Sequence, residues 1–147
     1  MESSNEIFSE KVVDNIKKGD LSDILQGICS IKEDDTLILN YIYFRCIANA
    51  ETYDHILNYI TNNIEKVLLR NNEFNVHVNM KNLTLSDIDK HKSFFQYISI
   101  VLKEKYPKKL AKCYVYNAPF VFSQLYNVIC MFIDKDTQKK IELVKSK

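Results

Sequence analysis

The apolar positions of the chain change period several times, and each change marks an element. Ile7, Val12, Val13 and Ile16 share one face at helical spacing, and Gly19 ends that run. Asp20-Leu21-Ser22-Asp23 opens a second, short helix that reaches Ile28. Thr36–Ile47 is rich in β-branched and aromatic residues and shows no helix cap ahead of it, which predicts a mostly buried strand. From Glu51 to Arg70 the stripe Tyr53, Ile56, Leu57, Ile60, Ile64, Val67, Leu68 predicts a helix with one face on the core. The period then falls to two. Phe74, Val76, Val78 and Met80 alternate with Asn75, His77 and Asn79, as in a strand. Ser86 and Asp87 begin a helix with Ile88, Phe94, Phe95, Ile98, Val101 and Leu102 inward. It stops before Pro107, whose ring restricts Tyr106 and which has no N–H to donate. Cys113–Tyr116 predicts a third strand, Asn117-Ala118-Pro119 a turn, Phe120–Ile133 a helix and Lys140–Val144 a fourth strand. Strands alternating with helices predict an α/β fold with a largely parallel sheet. No repeat or Gly/Ser/Pro linker divides the 147 residues, so 1–147 reads as one domain.

Composition narrows the function classes. The chain is 46% hydrophobic and 27% charged, which excludes disorder, and its 2 glycines and 2 prolines exclude collagen-like and low-complexity classes. The longest apolar stretch, Phe120–Ile133, is shorter than the ~20 residues a membrane span needs and carries Ser123, Gln124 and Asn127. Met1–Glu6 is polar and acidic, without the basic start of a secretory signal, so a cytoplasmic location is expected. Cys29, Cys46, Cys113 and Cys130 are too far apart for a zinc ribbon or a Cys-x-x-Cys motif and read as small buried thiols. Phosphate-binding glycine loops and a Gly-x-Ser-x-Gly elbow are absent, and His55, His77 and His91 fall in three different elements. The expectation is a protein that is not an enzyme, with no catalytic residue, metal or cofactor.

Charge is unevenly spread. Residues 1–89 hold 8 Lys/Arg against 15 Asp/Glu, and residues 90–147 hold 12 Lys against 4 Asp/Glu. Either the chain presents a basic face or its halves interleave and the field cancels. Phe120–Ile133 has almost no polar face, so it is either wholly buried or meets something apolar besides its own core. Lysines flank it on both sides, among them Lys105, Lys109, Lys112 and Lys139. An apolar helix rimmed by lysines suits transient contact with an anionic membrane surface. Nucleic acid is not expected, because no recognisable nucleic-acid module accompanies the lysines.

Three blocks carry a resemblance. They are Tyr106-Pro107-Lys108-Lys109-Leu110, then Tyr114-Val115-Tyr116-Asn117-Ala118-Pro119-Phe120-Val121-Phe122, then Phe132-Ile133-Asp134-Lys135-Asp136-Thr137-Gln138-Lys139-Lys140-Ile141. In this order they resemble the core of the CRAL-TRIO lipid-binding domain, over residues 35–147, with Val78–Thr84 similar to a further strand-end motif. The resemblance implies an α/β/α sandwich whose small mixed sheet floors an apolar cavity for one lipid, preceded by short N-terminal helices in 1–34. It implies a version shortened at both ends relative to the family.

The family's mobile gate falls on Phe120–Ile133, which makes Phe120, Phe122, Leu125, Tyr126, Ile129, Phe132 and Ile133 the implied cavity and gate residues. Thr137 and Lys140 stand where phosphatidylinositol binders contact the headgroup phosphate, and Lys108 stands where the family has a glutamate near the headgroup. Ala111 and Asn82 each replace a usual glycine; Asn tolerates a left-handed backbone. Two functions follow. One is a lipid-binding or lipid-transfer protein for a phospholipid or similar amphiphile, peripherally membrane-associated. The other is a lipid-independent scaffold that binds a protein partner such as a small GTPase.

Overall fold

The computed structural model describes residues 21–145. The expected helix Ile7–Ile16 and its stop at Gly19 lie outside the described residues. In chain order the elements are α1 (Leu21–Ile28), β1 (Cys29–Lys32), β2 (Thr36–Asn40), α2 (Tyr41–Ile47), α3 (Tyr53–Leu68) and β3 (Phe74–Asn79). There follow α4 (Leu85–Lys90), α5 (Lys92–Lys105), β4 (Leu110–Tyr116), α6 (Phe122–Cys130), α7 (Lys135–Gln138) and β5 (Ile141–Leu143). The strands form one sheet in the order β1-β2-β3-β4-β5. The β1–β2 pair is antiparallel and the other three pairs are parallel. The fold is of the α/β class with a mixed, mainly parallel sheet.

Strand alternation divides the sheet into two faces. Leu37, Val76 and Val115 sit in the main core with Ile56, Ile60, Ile64 and Val67 of α3. On the other face the register aligns Ile38, His77, Tyr114 and Glu142. There His77 stacks on Tyr114 and Tyr116, with ring centroids 5.0 and 5.5 Å apart, and its Nδ1 lies 2.6 Å from the Tyr116 hydroxyl.

The structure departs from the sequence pattern at four places. The run Thr36–Ile47 is not one strand: it turns into α2 after Asn40, whose side-chain oxygen accepts from the Ile42 N–H at 3.4 Å. The cap was present, in the middle of an apolar run. The helix expected before Pro107 breaks at His91 into α4 and α5. Thr84 starts the first piece through a reciprocal capping box with Asp87. Helix α6 covers only Phe122–Cys130, because Asn117 takes a positive φ of 54° and Phe122 bonds back to the Pro119 carbonyl in a turn. Finally, residues 21–34 join the sheet through β1, an edge strand of four residues too short to announce itself.

Asn82, at φ 73°, does occupy the left-handed region that its replacement of glycine requires. The turn after α5 also carries a left-handed residue. Lys109 N–H reaches the Tyr106 carbonyl at 3.2 Å and Lys108 sits at φ 60°. Proline second and a left-handed residue third are the marks of a type II turn.

Candidate functional site

Beneath α6 the sheet is not sealed. A cavity of about 280 Å³ lies between the β2–β4 floor, α5 and α6. Its floor is Leu39, Val76, Val78, Cys113 and Val115. Phe94, Phe95, Ile98 and Leu102 of α5 form one wall, and Phe122, Leu125, Tyr126 and Ile129 of α6 form the roof. These side chains fall at i, i+3, i+4 and i+7 on α6, so a helix apolar on this face spans the opening. Tyr41 and Phe44 close the end where the parallel strands finish.

Two polar groups of the lining are accounted for locally. Ser99 donates to the Phe95 carbonyl of its own helix at 2.7 Å. Burial pushes the Cys113 thiol up to about 12, so it stays neutral. Charge appears only at the end where β3 and β4 begin. Lys103, Lys108, Asp134 and Thr137 line the cavity there, beside Phe74, Leu110 and Ile141. Asp134 Oδ1 accepts the Thr137 N–H at 2.7 Å and caps α7. That backbone bond, the Thr137 side chain, Lys103 and Lys140 hold the Asp134 carboxyl below its usual range. Gln138 ties this corner to the roof, donating from Nε2 to the Cys130 and Ile133 carbonyls at 3.2 and 3.1 Å.

The structure gathers Phe122, Leu125, Tyr126, Ile129, Ile133, Thr137 and Lys108 around one cavity. Phe120 and Phe132 do not line it, and Phe120 is fully exposed at 101%. Lys140 sits outside the lining, close enough to act on Asp134. Lys105, Lys109, Lys112 and Lys139 are exposed. They do not form one rim: Lys112 is paired with Asn75 on the sheet face away from the cavity. Sequence reasoning missed Lys103 as a site residue. Its signal was helical phase, since it follows Ser99 by four residues on the stripe that faces the cavity.

A pattern for the CRAL/TRIO domain matches residues 26–147. The chain belongs to the CRAL/TRIO domain family. The match begins nine residues before 35 and so takes in β1. Among curated relatives of this CRAL/TRIO chain, Sec14 cytosolic factor of Schizosaccharomyces pombe (strain 972 / ATCC 24843) is 33% identical over 69 residues, 47% of this chain and 24% of its own. SEC14 cytosolic factor of Yarrowia lipolytica (strain CLIB 122 / E 150) is 33% identical over 69 residues, 47% of this chain and 14% of its own. The crystal structure of Sfh5 superposes with a TM-score of 0.68 at 21% identity, over 81% of this chain and 48% of that one. The matched region thus spans less than half the length of each of these relatives. Among the described residues no helix is long and apolar enough to cross a membrane.

Proposed function

We propose that this chain is a lipid-binding module that holds one phospholipid or similar amphiphile beneath α6 and exchanges it at membranes. The observation that carries the proposal is the open apolar cavity of about 280 Å³ in a CRAL/TRIO domain. A cavity lined by aliphatic and aromatic side chains has little to offer a polar metabolite, whereas an alkyl chain gains about 0.8 kcal/mol for each methylene it buries. Helix α6 is the gate. It is nine residues long, and Tyr126 and Ile129 on its cavity side are only half-buried. Thr137 and Lys108 stand at the charged end for the headgroup, with Lys140 behind Asp134.

Peripheral membrane contact is part of the same reading. Phe120 before α6 and Met131 after it are exposed at 101% and 76%. Apolar side chains at both ends of a gate are costly in water and gain free energy in a bilayer interface. Exposed Lys105, Lys109 and Lys139 add attraction to anionic lipid. The lipid-independent scaffold reading needs a filled cavity, and Phe122 and Tyr126 line this one without filling it.

Native mass spectrometry after incubation with mixed phosphatidylcholine, phosphatidylinositol and fatty-acid vesicles tests the proposal. One lipid per chain is expected. A clean lipid-free mass after that exposure contradicts it.

A further inference from the structure

The size of the cavity and the sign of its mouth select among lipids. An apolar cavity of about 150 Å³ holds one benzene, six carbons. On that scale 280 Å³ takes about 11 chain carbons, most of one acyl tail and far short of the two tails of a membrane phospholipid. The charged end is set for an anion. Lys103 and Lys108 both line it, and the one carboxylate beside them, Asp134, which caps α7 through the Thr137 N–H at 2.7 Å and also feels Lys103 and Lys140, offsets only part of their charge. Lys108 is also held at φ 60°, a left-handed conformation that is strained for most residues and free for glycine. Lys108 thus lines the cavity mouth from a strained backbone position.

We infer that the ligand is a single-chain amphiphile with an anionic head, its tail under α6 and its carboxylate or phosphate between Lys103 and Lys108. This rests on the lipid-binding reading and narrows it. The chain buries in the apolar cavity, and the head stays at the wet mouth where two ammonium groups donate charge-assisted hydrogen bonds. A fatty acid and a lysophospholipid with a free phosphate share this chemistry.

Four probes separate the outcomes by native mass spectrometry and calorimetry: palmitate, 1-palmitoyl-lysophosphatidate, hexadecanol and dipalmitoylphosphatidylcholine. One-to-one binding of palmitate or lysophosphatidate is expected, at least about tenfold tighter than hexadecanol, a difference of about 1.4 kcal/mol. Whichever of the two binds tighter names the carboxylate or the phosphate as the head. The double variant K103Q/K108Q, checked for native circular dichroism, brings the preferred anion down to the level of hexadecanol. Hexadecanol binding as tightly as both anions overturns the anionic mouth. Dipalmitoylphosphatidylcholine binding one-to-one at least as tightly overturns the single chain and leaves lipid binding standing. Failure of all four to bind overturns the single-chain anion, and a lipid-free mass after the mixed vesicles as well overturns the lipid-binding reading itself.

Discussion

The two halves of the sheet bury the same kinds of side chain to different ends. Under α3, Ile56, Ile64 and Val67 meet Leu37 and Cys29, and none of the five exposes more than 1%. Under α6, Tyr126, Ile129, Cys113 and Ile141 are only half-buried, and open space lies between them. Interiors pack close to crystal density, so an unfilled apolar volume forfeits dispersion contacts that the first half keeps. The densest packing described lies under α3. The half under α6 gives some of that packing up and encloses open apolar space.

This contrast can be broken by mutation, beginning with the largest effect. Ile64→Ala empties a sealed site and is expected to cost about 2–5 kcal/mol in urea unfolding. A loss as small as that of Ile129→Ala would erase the distinction between the halves. Gly27→Ala is next. A Cβ there would stand 2.8 Å from the ring of Tyr43, which is itself 1% exposed, so overpacking is expected to cost about 1–3 kcal/mol by the same assay. Thr84→Ala removes the hydroxyl that accepts from the Asp87 N–H at 3.1 Å and should cost about 1 kcal/mol.

Acid probes the packed half without mutation. His91 is buried against Phe44, with Nδ1 2.6 Å from the Tyr53 hydroxyl. Burial first, then Lys90, lowers its pKa below the ordinary 6.5. The folded chain refuses a proton that the unfolded chain accepts, so stability falls as pH drops below that value. Asp87, which pairs with Arg45 at 2.9 Å, also has a lowered pKa and adds a second loss as pH falls through its ordinary 3.8. Thermal midpoints from pH 7.5 to 5 should decline, and His91→Gln should flatten the slope. An unchanged slope in that variant would assign the decline elsewhere. The smallest effect on stability, about 1 kcal/mol or less, is expected for Ile129→Ala. That variant should nevertheless release bound lipid at least about tenfold faster in a vesicle transfer assay.

The sealed half was largely legible in the sequence because its signal is periodic. Ile56, Ile60, Ile64 and Val67 mark α3, and the alternation at Phe74–Val78 marks β3, with no tertiary information. Phe122, Leu125, Tyr126 and Ile129 were not set apart by period, because Phe120–Ile133 has almost no polar face; the family resemblance named them. Ends and corners were not legible. Asn40 caps α2 from inside an apolar run, and composition alone could not distinguish strand from helix across it. The lysines show the limit most plainly: Lys103 and Lys112 are nine residues apart and similar in sequence context, yet one lines the cavity and the other faces away from it. Helical phase and strand register decide that, and register is set by partners far along the chain.

Hydrogen exchange read by mass spectrometry, with and without palmitate, tests the contrast most directly. The account predicts slow exchange along α3 in both states, and fast exchange along α6 that slows when the ligand is bound. Equal protection of α3 and α6 in the free protein, unmoved by ligand, would contradict it.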